Sequence, residues 1–509
     1  MEVALDLHGG SDVRLACPVE RLDCVPVAEV KLNLNGRDEI IPILRALQHL
    51  YGDPELRREL LDLVGKDVNQ TSSRKRGRRG LTYWEIAVLA AVRLGCNLDY
   101  DKLQDLAENH RNLRLIMGVG TWQEEEVDFD WRRIEDNVIK LRPATLKRIT
   151  DLVVSVGHAL KPKAIEAVRG DTFVVETNIH YPTESTLIGD GLRKILPLAA
   201  ELAAEHRIEG WRQHAHLLQN VRKLVQQVGR ASRAKGQGAE RLKPGYQKLL
   251  TVAQDLLQRA RRLLRALKFP VDQKAFTLDQ LKSATPPATR PGRLMQYVAL
   301  TEKVCDNARR RVLDGKTLTN EEKIFSIFEP HTELIKRGKQ PNPIQFGHNV
   351  LVIEDAVGFV VDYQVVGAGV LDQNLVVPVM KQLQERFGNK IKSASFDRAF
   401  HTPQNQQALA KIVRCPCIAV KGQEKGRQQQ KEGTVAFRKA RQRHPGVESA
   451  IGALQAGNGM KRCRDRSQQG HERYVALGIL GRNLQALGKL LLARDQADCQ
   501  AAKTKRKRA

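Results

Sequence analysis

Three acidic residues, far apart in the chain, stand where phosphodiester chemistry could use them. Asp171 lies in the β-rich run DTFVVETNI, Asp397 ends an apolar run at SFDRAF, and Glu448 follows Pro445 in HPGVESAIGALQ. Brought together, three carboxylates would make a hard-oxygen cage suited to two Mg2+ ions, with Mn2+ able to substitute. Two such ions about 4 Å apart serve both the attacking and the leaving oxygen of a phosphodiester. The carboxylates then only hold metal, and a water or a DNA 3′-hydroxyl is activated by its lowered pKa. Each acid also has a structural reading. Asp397 could cap the turn that follows it, and Glu448 is an acid favoured at a helix N-terminus.

The elements that must carry these acids follow from periodicity. Residues 171–179, bounded by Gly170 and Pro182, predict a strand with Asp171, Phe173, Val175 and Thr177 on one face. Glu176 then points the other way and reads as structural. Past Gly338 the strand pattern returns. Residues 349–354 and 357–366 predict a hairpin, followed by a helix at 374–387, a strand at 391–396, a helix at 403–412 and a strand at 414–421. Helical sequence runs from Ala436 to the end. Between the halves, residues 187–330 read as helical, with leucine pairs such as Leu249/Leu250 and Leu256/Leu257 expected inside two antiparallel helices. Residues 229–245 would be the loop at the tip of that arm, which reads equally as a dimerisation device or a DNA clamp. Removing the arm leaves strand, strand, strand, helix, strand, helix, strand, helices. That order implies an α/β fold, a mixed five-stranded sheet flanked by helices.

Ahead of the first strand the chain reads as all-α. Ile41, Leu44, Leu47 and Leu50 recur at helical spacing, and Thr82 with Glu85 forms a capping box opening WEIAVLAAVRLGC. A turn at 95–98 and a further helix from Tyr100 are compatible with a helix-turn-helix DNA reader, as they are with a generic helix pair. Arg74, Lys75, Arg76, Arg78 and Arg79 form a basic block beside it, our candidate DNA contacts, and Lys503, Lys505, Arg506, Lys507 and Arg508 form a tail. Such a block reads equally as a solvated linker. The net charge of +26 opposes self-association and favours a polyanion, whether nucleic acid or an anionic membrane face. No run of about 18 apolar residues predicts a membrane span, and the first residues lack the pattern of a secretion signal. Eight cysteines are sparse, and the Cys415/Cys417 pair lacks zinc-finger spacing, so reduced cytosolic thiols are expected. At 509 residues, two to four domains are expected.

Three blocks in order resemble bacterial insertion-sequence DDE transposases of the ISNCY-like group. GDTFVVETNIHYPTESTLIGDGLR resembles their first-aspartate block and SFDRAFHTPQNQQAL the second. HPGVESAIGALQAGNGMKRCRDRSQQGHERYVALGILGRNLQALG resembles the glutamate block. The resemblance covers most of residues 165–188 and 338–490, and more weakly 80–160. It implies an RNase H-like catalytic fold, dependence on two Mg2+ ions, and recognition of double-stranded DNA at terminal inverted repeats. It also implies joining of 3′-hydroxyl ends to target DNA by a homodimer or higher oligomer, in a bacterial cytoplasm and away from membranes. By position Asp171, Asp397 and Glu448 match the catalytic, metal-holding triad, with Glu472 as rival to Glu448. The domains implied are 1–164 (DNA-binding), 165–188 and 338–495 (catalytic), 189–337 (helical insertion) and 496–509 (tail). Related groups place a tyrosine and an arginine before the glutamate and a lysine after it, where this chain has Arg441, His444 and Gln455. Asn178, His180 and Tyr181 could line a DNA channel, although His180 and His401 read as readily as structural histidines. Arg398 and Lys421 could touch phosphates or stand in solvent.

Overall fold

A computed structural model describes residues 14–18, 24–71, 80–120, 129–236, 240–270, 276–283, 287–337, 343–420 and 432–508. The basic block from Arg74 to Arg79, and Lys421, lie outside the described residues. The chain divides into two compact units: residues 1–175, 349–465 and 469–509 form the first, and 176–348 with 466–468 the second.

The first unit opens with helices α1 (Ile40–Gly52), α2 (Pro54–Thr71), α3 (Tyr83–Gly95), α4 (Tyr100–Asn109), α5 (Arg111–Met117), α6 (Trp131–Val138) and α7 (Pro143–Leu160). The capping box forms as expected: Thr82 Oγ1 accepts from the Glu85 amide at 3.1 Å, and Glu85 Oε2 accepts from the Thr82 amide at 2.6 Å. All thirteen residues of α3 are buried, as befits a helix apolar nearly all round. It therefore has no face with which to read a DNA groove, and the exposed residues of α4 include the acids Asp101, Asp105 and Glu108. Arg93 of α3 is buried in a bidentate pair with Asp465 (2.6 and 3.2 Å), its guanidinium 3.9 Å from the Tyr100 ring centre. Burial works to lower that guanidinium's pKa, but Asp465 and its neighbours outweigh it and the net shift is upward.

The sheet comprises β1 (Ala167–Glu176), β2 (Glu333–Lys336), β3 (Ile344–Asp355), β4 (Val360–Val366), β5 (Ser393–Phe396) and β6 (Cys415–Ile418). It is a six-stranded mixed sheet flanked by helices, with order β2-β3-β1-β5-β6 and β4 also on β3. The expected five strands are thus joined by a sixth. The four residues of β2 are too few for a period to show, and their strand character comes only from antiparallel pairing with β3. β1 pairs in parallel with β5, and β5 with β6. The β3–β4 turn is fixed by Asp355, whose Oδ1 accepts from the amides of Val357, Gly358 and Phe359. Along β1, Thr172 and Val174 are as buried as Phe173 and Val175, because a central strand is covered on both faces.

Later helices of this unit are α13 (Val376–Arg386), α14 (Pro403–Ile412), α15 (Val435–Arg443) and α16 (Pro445–Ala456). The last helix, α17 (Gln468–Arg508), is its spine. Asn483 of α17 donates to and accepts from the Val360 backbone, both at 2.8 Å, while Gln485 donates to the Gly95 carbonyl. A Cβ on Gly481 would stand 2.6 Å from Gly95 Cα, so the two helices cross backbone to backbone. Residues Gln468–Thr504 are long and apolar enough to cross a membrane by composition, but 67% of the qualifying window is buried in the structure. A core helix shows that pattern. One continuous core cluster takes in both the N-terminal helices and the sheet.

The second unit holds α8 (Glu184–Glu205), α9 (His214–Ala231), α10 (Leu242–Ala266), the short α11 (Leu278–Ser283) and α12 (Arg290–Ala308). The leucine pairs of α10 are buried as expected, but in a core shared by α8, α9, α10 and α12 rather than by two helices alone.

Substituting Asp465→Asn strands the Arg93 guanidinium in the core. Breaking a buried pair by removing one partner costs about 3–5 kcal/mol, which chemical denaturation would read as a lower midpoint. A change below about 1 kcal/mol would mean that the pair does not hold α3 in place.

Candidate active site

Two of the three carboxylates are brought level by strand pairing. The β1–β5 register runs from Ala167↔Ser393 to Gly170↔Phe396. Asp171 and Asp397 are the next residue on each strand, so they emerge side by side where the pairing ends. Both are half-buried. By the two-residue period Asp171 shares its face with Arg169, and Asp397 shares its face with Ser395.

That face is covered by the corner between α15 and α16, and two contacts hold the corner down, one of them from an arginine that is itself anchored on β3. Arg169 Nε donates to Glu354 Oε2 at 2.6 Å, and its Nη1 donates to the Arg443 carbonyl at 2.9 Å. Ser395 Oγ and His444 Nδ1 are hydrogen-bonded at 2.8 Å. A Cβ at Gly446 would collide with the Arg169 guanidinium, so any side chain there would displace Arg169 from its contacts. Glu448 lies in that turn, with an exposed side chain. His444 registers the convergence electrically. Its pKa is lowered, chiefly by burial and then by Arg441, while Asp397 and Glu448 both pull it upward. Asp397 and Glu448 are thus within electrostatic reach of one imidazole.

Glu354 is almost wholly buried, and burial raises its pKa against the opposing pull of Arg169 and Arg482. A fourth acid stands close by. Asp372 Oδ1 accepts from Thr172 Oγ1 and Asn349 Nδ2, both at 3.2 Å. The short helical turn it opens packs against residues 398–400, which directly follow Asp397. Sequence reasoning missed Arg169, Glu354, Ser395 and Asp372. Only Arg169 carried a signal, two positions before Asp171 on the same face.

Comparison with protein-family models, with curated proteins and with solved structures found no significant match.

The other residues singled out fall as follows. Glu472 is half-buried in the first turns of α17, beside His471, whose ring bonds to the Val175 carbonyl at 3.1 Å. Arg398 is exposed, and His401 is buried with Nε2 unpartnered. Arg441 also buries a guanidinium nitrogen without a partner. Glu176, in the second unit, accepts from Gln345 at 3.1 Å, as a structural residue would. Also in that unit, His180 lies 3.4 Å from Asp190, and Asn178 and Tyr181 are exposed. The eight cysteines are free thiols.

Asp171 and Asp397 offer carboxylate oxygens, the donor type that Mg2+ prefers. Among the described residues no three His, Cys, Asp or Glu side chains are gathered to metal-holding distance.

Because His444 has a lowered pKa, the unfolded chain binds its proton more readily than the folded one. Its contribution to stability is full above the ordinary histidine value of about 6.5 and is lost as the pH falls below it. His444→Gln should therefore shrink the drop in melting temperature between neutral and mildly acidic buffer. An identical drop in the two proteins would show that His444 is not the group responsible.

Proposed function

We propose that this chain is a DNA transposase of the DDE type, with Asp171, Asp397 and Glu448 as its catalytic carboxylates. The observation that carries the reading is the β1–β5 register, which sets Asp171 and Asp397 side by side although 226 positions separate them. The placement of Glu448 in the helical turn above the same face supports it further. The RNase H-like reading of the sheet is supported by the order of β1, β3, β4, α13, β5, α14 and β6, which follows the expected succession of strands and helices.

On this reading the three carboxylates hold two Mg2+ ions, or Mn2+ in their place. Metal bound there supplies Lewis acidity, lowering the pKa of an attacking water or 3′-hydroxyl and stabilising the leaving oxygen. The chain's own residues do the positioning. Arg169 and the Ser395–His444 bond hold the α15–α16 corner, and hence Glu448, over the strand ends. His444, kept neutral by burial and by Arg441, adds no positive charge that would compete with a cation for the carboxylates. Arg398, exposed directly after Asp397, would pair with a DNA phosphate on this reading. The block from Arg74 to Arg79 adds phosphate contacts, and the protein acts as a homodimer or higher oligomer on element ends in the bacterial cytoplasm.

The test is incubation of the purified protein with DNA carrying the ends that flank its own gene, with and without Mg2+, beside Asp397→Asn. Cleavage and joining should require the metal. Changes to groups that merely orient a metal ligand cost about 10–100-fold, so loss of a ligand itself should leave under about 1% of wild-type activity, with end binding intact. Metal-dependent cutting retained in Asp397→Asn would remove that residue from the site. Cutting without joining would make the protein a nuclease, and binding without cutting an inactive descendant.

A further inference from the structure

The second unit carries a charge distribution that its own folding does not require. Residues 211–268 hold fourteen lysines and arginines against two acids, Glu240 and Asp255, a net +12 of the chain's +26. All nine cations from Arg212 to Lys248 are exposed. None of the nine has an ion-pair partner among the described residues. Further along α10 Arg261 is matched with Glu302 at 2.6 Å, and elsewhere in the same unit Arg310 is matched with Glu322 at 2.9 Å and Arg290 with Glu205 at 3.2 Å. Like charges left unmatched on one hairpin repel one another. The missing counter-charge has to come from outside.

We infer that the α9–α10 hairpin is a clamp for the phosphate backbone of duplex DNA. On α9, Arg222, Lys223 and Arg230 fall within an arc of about 100°, with Gln226 between them, over about 12 Å of helix. On α10, Lys243, Gln247, Gln254 and Gln258 share an arc of about 60° by the same geometry. Cations and amides in rows along two packed helices suit the regular phosphates of a duplex, which presents a charge about every 1.7 Å of its axis.

Three observations exclude other occupants. The apolar faces of both helices are turned inward, with Val221, Val228, Leu249 and Leu256 buried, and no large hydrophobic side chain is exposed on either helix among the described residues. A self-association surface needs an apolar core depleted of charge, and a membrane-surface helix needs an apolar face to insert. Both are missing here. Single-stranded nucleic acid needs aromatic rings on which bases stack, and the two aromatics of the segment, Trp211 and Tyr246, are buried. The hairpin's contribution to binding comes from phosphate contacts, which carry no sequence information.

This inference rests on the proposed DNA substrate, and the test separates the two. Binding of the full chain to an arbitrary duplex of about 40 base pairs is measured by fluorescence anisotropy from about 50 to 200 mM salt. The comparison is a variant with Arg222→Gln, Lys223→Gln, Arg230→Gln, Arg233→Gln, Lys243→Gln and Lys248→Gln. These side chains are exposed and unpaired, so the melting temperature should hold. Affinity should fall at least about tenfold near 100 mM salt, and the log–log salt slope should flatten by about 0.9 for each phosphate that is no longer neutralised, up to about 5. A folded variant with unchanged affinity and slope would overturn the clamp and leave the active-site proposal standing. Preference of the wild-type hairpin for single-stranded DNA or for RNA duplex would also overturn it. A wild-type chain without duplex affinity even at the lowest salt would sink the DNA-processing reading as a whole.

Discussion

The arrangement of the candidate site depends on one half-buried guanidinium. Arg169 sits on the central strand two residues before Asp171 and reaches in two directions, to Glu354 on the neighbouring strand and to the carbonyl that ends α15. The first contact opposes the burial that raises the pKa of that acid. The second satisfies one of the carbonyls that every helix leaves open at its C-terminus. The same planar group is the floor on which Gly446 rests. Strand, helix end and helix start are therefore fixed to one another by a single side chain with several donors in a rigid fork. Lysine, a point charge on a flexible stem, could not make both contacts in this geometry.

Much of this was legible in the sequence, and the parts that were not share a cause. The capping box at Thr82, the helix at Pro403–Ile412 and the burial of the leucine pairs in α10 are local or periodic features, and they appear where expected. The level placement of Asp171 and Asp397 is a matter of register between strands far apart in the chain, which no local pattern encodes. Asp372 was invisible for a similar reason, since its partners Thr172 and Asn349 come from two other strands. The N-terminal helices read as a separate region, yet they share one core with the sheet. The all-round apolar character of WEIAVLAAVRLG was the available sign, because a helix with no polar face must be covered on every side.

The two units handle charge differently. In the first, arginines are drawn inward and answered, as with Arg93 by Asp465 and Arg169 by Glu354. Each such pair offsets a desolvation penalty with a specific partner and so fixes a geometry. On the α9–α10 hairpin the nine cations from Arg212 to Lys248 stay in solvent, with no ion-pair partner among the described residues. The first pattern serves the shape of the protein. The second has no structural purpose within the chain.

One consequence concerns synthesis on the ribosome. β1 ends at Glu176 and its neighbours β3 and β5 begin only at Ile344 and Ser393, so 167 residues separate the central strand from the first of them. At about 5–20 residues per second, β1 waits roughly 10–35 s for a partner. Throughout that interval an apolar strand with two unpaired edges is exposed, a ready template for wrong pairing. The intervening unit has a helical core of its own built from contiguous sequence, and local helical contacts form quickly. Its prompt folding shortens the spatial gap that β1 must later close, so the insertion that delays the sheet also brings its two halves within reach.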